Sequence, residues 1–269
     1  MREWAMDRIA IIATLLGLLG SMPVAAAVEG REIDYRAADG TVLKGYLAVD
    51  AAAAGRHPGV LVVHEWWGHN DYARQRAEML AALGYPALAV DMYGDGRQAG
   101  HPEDAGKFAA AVRSNLPLMQ ERFRAALALL RAQPQVDPQR VAAIGYCFGG
   151  SVVLEMARAG VDLKGVASFH GSLEGGSTAR TGQVTAQVLV LNGAADSFIP
   201  AEQIAAFKAE MEAAGVTYRF VNYPGALHSF TNPDADDYAR RFNMPVGYHA
   251  EADRESWAEL QRFFAEIFR

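Results

Sequence analysis

One cysteine occurs in the 269 residues, Cys147, and it stands in the run Gly145-Tyr146-Cys147-Phe148-Gly149-Gly150. A lone thiol makes no internal disulfide, so it is inert packing, an intermolecular link or a reactive group. The pattern here is G-x-C-x-G, set between a buried apolar strand (Val141–Gly145) and a helical pattern (Gly149–Ala159). That is the thiol version of the strand–turn–helix elbow that presents a nucleophile. Glycines beside the central residue let strand and helix approach closely around a strained backbone. The helix N-terminus offers free N–H groups and a partial positive charge, which favour a thiolate and receive an oxyanion. A buried structural cysteine is the competing reading.

A nucleophilic thiol wants a base, and the base wants an orienting acid. After an elbow of this kind the acid comes next in the chain and the histidine last. Asp196 lies in Asn192-Gly193-Ala194-Ala195-Asp196, just beyond the apolar run Val188–Leu191, and is the candidate acid. Helix capping is its competing role. His228 follows the strand pattern Tyr218–Tyr223 in a loop and is the candidate base; His249, just before the terminal helix, is its rival. His170 also follows a strand but precedes Asp196, and His57, His64, His69 and His101 lie upstream of Cys147.

The first buried strand, Gly59–His64, runs into Glu65-Trp66-Trp67-Gly68. Its end is where a second oxyanion donor belongs, the backbone N–H of Trp66 beside that of Phe148. Glu65 is a surface charge, a salt-bridge partner or a proton acceptor for the thiol; burial would raise its pKa and suit the last role. The aromatic residues Trp67, Tyr93, Tyr146 and Phe230 are expected to bind substrate. No metal or dinucleotide is implied: there is no Cys pair, no H-E-x-x-H and no G-x-G-x-x-G after the first buried strand.

Positioning these groups falls to alternating strands and helices. Arg31–Arg36 and Val42–Val49 form an amphipathic pair turning at Asp39-Gly40. Ala87–Val90 and Gly165–Phe169 add further buried strands. Helical patterns cover Asp71–Leu83, Leu116–Ala132, Ala201–Ala214 and Ser256–Phe268, while Ala51–Gly55 and Gly171–Gly182 are loops. The alternation predicts one α/β domain over residues 28–269, a mainly parallel sheet with helices on both faces and an antiparallel N-terminal hairpin.

Composition narrows the function classes. With 51% apolar and 21% charged residues the chain is neither disordered nor collagen-like, and a net charge of −6 argues against a nucleic-acid scaffold. Arg2 and Arg8, the apolar run from Ile9 to Leu19 and Ala25-Ala26-Ala27 have the layout of a secretory signal over residues 1–27. Cleavage after Ala27 would give an exported, periplasmic protein without stable membrane association; a retained anchor is the alternative.

Together, the G-Y-C-F-G-G, H-E-W-W-G, N-G-A-A-D and G-A-L-H-S-F segments resemble the dienelactone hydrolase family, from about Gly40 to the terminal helix. The resemblance implies an α/β-hydrolase fold and a cofactor-free Cys–His–Asp triad that opens enol-lactones and related small esters. It assigns Cys147 as nucleophile, His228 as base, Asp196 as orienting acid, and Trp66 and Phe148 as oxyanion donors. Glu65 would hydrogen-bond the resting thiol and take its proton as substrate enters. Members acting on dienelactone carry one arginine two residues after the Tyr of a D-L-Y-like segment and another four residues after the histidine, both for the substrate carboxylate. Asp95 and Asn232 stand at those positions here, so the reaction class transfers better than the anionic substrate. The rivals are an exported redox or ligand-binding protein using Cys147 without acyl transfer, and an idle scaffold keeping the elbow for packing.

Overall fold

The computed structural model describes residues 27–269, so the export signal expected over residues 1–27 lies, apart from Ala27, outside the described residues. Strands β1 (Val28–Arg36) and β2 (Val42–Asp50) form the expected antiparallel hairpin, paired from Val28↔Asp50 to Arg36↔Val42. The other strands are β3 (His57–Val63), β4 (Ala87–Val90), β5 (Val136–Tyr146), β6 (Gly165–Phe169), β7 (Gln187–Gly193) and β8 (Tyr218–Tyr223). All eight join one sheet in the order β1-β2-β4-β3-β5-β6-β7-β8, antiparallel only at β1–β2 and β2–β4. The fold is an α/β fold with a mostly parallel sheet, as the alternation predicts.

Two apolar layers sandwich the sheet, and the pleat sorts residues between them. In β3, Leu61 and Val63 face one layer while Val60 and Val62 face the other; in β5, Val141 and Ala143 part in the same way from Ala142, Ile144 and Tyr146. The first layer is covered by helices α2 (Pro102–Arg113), α3 (Leu116–Arg131), α4 (Phe148–Arg158) and α5 (Ala201–Ala213), through residues such as Val112, Phe123, Val152 and Phe207. The second is covered by α1 (Asp71–Ala81) and α7 (Ala250–Ile267), through Ala73, Ala77, Leu260 and Phe263. Strands buried on both faces favour apolar residues at successive positions, which is why β4 and the Val60–Val63 part of β3 are uninterrupted apolar runs.

Two helices go beyond the sequence expectation, α2 and α6 (Ala235–Phe242). Helix α2 is rich in alanine, interrupted by Gly106, and buries only Ala105, Ala109 and Val112, so its apolar spacing is faint. Helix α6 buries only Ala235 and, apart from Ala239, is otherwise charged or aromatic. The terminal helix starts at Ala250, six residues earlier than its apolar spacing indicates, because His249 caps it by accepting the Ala252 N–H on Nδ1 at 3.2 Å.

Candidate active site

Strand β5 delivers Cys147 to the carboxyl edge of the sheet and α4 begins one residue later. Cys147 adopts φ +52°, ψ −113°, a strained conformation for a residue with a side chain. Close packing imposes it. A Cβ on Gly145 would sit 2.0 Å from Gly149 O, and one on Gly149 would sit 2.2 Å from Val63 O. Only glycines let α4 start this near β3 and β5.

Asp196 and His228 approach from the ends of β7 and β8. His228 Nδ1–H donates to Asp196 Oδ2 at 2.8 Å, and Asp196 Oδ1 accepts the Phe198 N–H at 2.8 Å. The carboxylate thus fixes the ring and leaves Nε2 for the thiol. Cys147 and His228 line the same cavity of about 260 Å³. Burial opposes a charge on His228, but the neighbouring Cys147 sulfur and the Asp196 hydrogen bond outweigh it and push the imidazole up to about 10. The rival His249 is engaged as the α7 cap described above.

At the end of β3, the oxyanion segment is held from behind. His64 Nδ1 contacts Glu65 O at 2.5 Å, its Nε2 accepts the Met92 N–H at 3.3 Å, and the Tyr93 hydroxyl donates to Trp66 O at 3.0 Å. Among the described residues no protein acceptor takes the N–H of Trp66 or of Phe148. Two unengaged donors could receive a developing oxyanion.

Glu65 is buried, and burial raises its carboxyl above the usual range against the pull of Asn232, His228 and Ser229. Its partners are Asn232 Nδ2 on Oε2 at 2.6 Å and Ser229 Oγ on Oε1 at 3.1 Å. The hydrogen bond to the Cys147 thiol that the resemblance implies is not among them. Asn232, at one position where an arginine was expected, is therefore turned inward to Glu65. Asp95, at the other, is exposed and lies outside the cavity lining. Arg97 does not compensate, since it donates to Tyr93 O at 2.7 Å and Gly94 O at 3.2 Å within its own loop.

Of the four aromatic residues expected at the substrate site, only Trp67 lines the cavity. Tyr93 is buried beneath Trp66 as its support. Tyr146 projects to the α1/α7 layer, stacked on Phe169 at 4.6 Å, because its place in β5 gives it the parity of Ile144. Phe230 is buried in that same layer, against Tyr223 at 5.5 Å. Sequence reasoning missed the residues that do line the cavity: Arg113, Ser172, Phe198, Ile199, Ser229, Tyr238, Met244 and Val246. They come from α2, α6 and irregular segments, and the sequence reading placed none of these side chains at the site. Phe198, an exposed large apolar residue in the acid loop, carried the clearest signal; its ring meets His228 edge-on at 5.0 Å. Arg113 lies over the Phe148 ring at 5.4 Å, with no carboxylate within ion-pair distance among the described residues.

Comparisons with known proteins agree with the fold and point to one family. The model of the dienelactone hydrolase family matches residues 43–268. A protein of Methylorubrum extorquens AM1 named carboxymethylenebutenolidase is 30% identical over 286 aligned positions, covering 98% of this chain and 94% of that protein. Among solved structures, the dienelactone hydrolase-like promiscuous phosphotriesterase P91 from metagenomic libraries is 34% identical with a TM-score of 0.82, and m3DLH is 37% identical with a TM-score of 0.84. Each alignment covers 90% of this chain and 99% of the other.

Proposed function

The chain belongs to the dienelactone hydrolase family, and from that premise we propose that it cleaves a small ester or lactone through an acyl-thioester on Cys147. It is a carboxylic-ester hydrolase. The carrying observation is the His228–Asp196 hydrogen bond of 2.8 Å at the wall of the cavity that Cys147 also lines.

In this reading His228 takes the thiol proton and the Cys147 sulfur attacks the substrate carbonyl. The carbonyl oxygen becomes an oxyanion facing the N–H groups of Trp66 and Phe148. Collapse expels the alkoxide, which receives the proton from His228. Water, deprotonated by the same imidazole, then attacks the thioester and releases the acid with the thiol restored. Asp196 keeps the imidazole oriented and its cation stabilised throughout. Glu65 acts on this cycle as a positioning residue, gripping through Ser229 and Asn232 the loop that carries His228.

The cavity wall favours a compact, largely apolar substrate, with Trp66, Trp67, Phe198, Tyr238 and Val246 around the triad. The test is p-nitrophenyl acetate turnover by the parent and by Cys147→Ala, with intact-mass detection of an acyl adduct. Loss of turnover in the variant and an adduct on the parent are expected; equal turnover with no adduct overturns the reading in favour of a thiol used without acyl transfer. We propose in addition that residues 1–27 direct export to the periplasm. A periplasmic product whose mass begins at Val28 supports this, and one retaining Met1 in the cytosol overturns it.

A further inference from the structure

Behind the nucleophile runs a row of buried polar groups that acyl transfer does not itself use. His170, directly after β6, is fully buried and adopts φ +41°. Its Nδ1 accepts the Cys147 N–H at 3.1 Å, the same N–H that continues the β5–β6 ladder onto Phe169 O at 3.0 Å. On the other side of the ring, Nε2 meets Thr231 Oγ1 at 2.8 Å. Thr231 Oγ1 meets the Tyr72 hydroxyl at 2.6 Å, and that hydroxyl accepts Arg76 Nε at 3.2 Å. Arg76 ends the row by donating to Thr231 O and to Asp253 Oδ1, both at 2.6 Å.

These contacts fix a protonation state. A ring whose Nδ1 accepts must carry its proton on Nε2, which then donates to Thr231. A protonated ring would set one N–H against another. Burial holds His170 well below its ordinary pKa, helped by the charges on His228 and Arg76. The His228 ring lies 5.2 Å away, edge to face.

We propose that His170 is a positioning residue for the nucleophile: as a neutral imidazole it accepts the Cys147 N–H, anchors the strained elbow, and is held in that orientation by its Nε2 contact with Thr231. The proposal rests on the reading of Cys147 as nucleophile. Strained backbone persists only where its surroundings over-determine it, and a second acceptor on the Cys147 N–H provides that. The anchor takes the Cys147 N–H and leaves the adjacent Phe148 N–H free for the oxyanion. Thr231 lies between Ser229 and Asn232, which grip Glu65, and the same loop carries His228. One loop thereby registers base and nucleophile together.

The test compares two substitutions that retain a polar group at different places. His170→Asn keeps an acceptor at the δ position, whereas His170→Gln moves it to the ε position. With p-nitrophenyl acetate, well below each variant's Tm, His170→Asn should stay within about threefold of the parent kcat while His170→Gln falls about 30-fold with KM unchanged. Thr231→Val, which removes the hydrogen-bond partner of Nε2, should lower kcat about tenfold, and Thr231→Ser should restore it. A merely structural role would lower Tm in step with lost packing and would not separate Asn from Gln. Equal kcat for the two His170 variants overturns the proposal; if neither folds, equal kcat for Thr231→Val and Thr231→Ser does so. Cys147→Ala run alongside separates the two readings. Parent-like turnover there sinks the nucleophile assignment itself, while its silence with parent-like His170→Gln sinks only this inference.

Discussion

The Asn232 amide reaches the Glu65 carboxylate at 2.6 Å, from a position where the family resemblance leads one to expect an arginine aimed at substrate. A neutral amide compensates a buried carboxylate less than a guanidinium does, and Glu65 is accordingly raised by burial despite two hydrogen-bond donors. The residue that would have read the substrate's charge instead organises the loop between β8 and α6.

This arrangement predicts that Glu65→Gln slows single-turnover acylation about tenfold while leaving the protein folded, since an amide satisfies Asn232 and Ser229 less well than a carboxylate. Stopped-flow acylation beside a thermal melt checks it. Unaltered acylation removes Glu65 from the cycle. Asn232→Leu, which leaves a buried oxygen of Glu65 without its donor, should cost about 1–3 kcal/mol of stability in urea unfolding.

Two histidines distinguish the triad from its rival assignment. His228→Ala should abolish turnover, by about 10³-fold or more, because base and leaving-group acid are lost together. His249→Ala should leave turnover within a few-fold and lower stability by about 1 kcal/mol through the lost α7 cap. Steady-state kinetics and Tm on both variants decide the matter, and the reverse pattern would mean that His249 is the base.

A pH dependence follows from the His228 environment. Its folded value of about 10 lies above the ordinary 6.5. The stability it contributes is therefore complete below about pH 6.5 and is lost as pH rises through about 10. Cys147→Ala deletes the largest upward influence, so the imidazole should lose its proton at lower pH and the alkaline loss of stability should begin earlier. Imidazole titration by NMR, with urea unfolding across the same range, tests both. Superimposable curves for parent and variant would refute the coupling.

Arg113 supplies the cavity's cation from α2 rather than from either position that the family resemblance points to. Arg113→Ala should lower kcat/KM for a lactone bearing a carboxylate about tenfold and leave a neutral lactone of the same size unchanged, the effect shrinking at high salt. Equal losses on both substrates would instead mean that Arg113 acts by packing on Phe148.

The layered α/β fold and the order of the candidate groups are legible in local stretches of the sequence. Apolar runs such as Val60–Val63 and Ala87–Val90 are local signals, because a strand covered on both faces favours apolar residues at successive positions. Gly145 and Gly149 are equally local, since their absent Cβ atoms are a property of the residue whatever surrounds it. The order Cys147, Asp196, His228 needs only the knowledge that each follows a strand. Direction was decided by the tertiary structure. Tyr146 and Phe230 are as aromatic as Trp67, yet only the parity of a strand and the seating of α1 and α7 send them away from the cavity. Helices α2 and α6, which bring Arg113 and Tyr238 to the site, bury only small or few apolar residues, Ala105, Ala109 and Val112 in one and Ala235 in the other, so hydrophobic bulk does not mark them. The pairings Asn232–Glu65 and His170–Cys147 join residues 167 and 23 apart in the chain. Such contacts are fixed by the packing of several elements at once, a property that no single stretch of sequence carries.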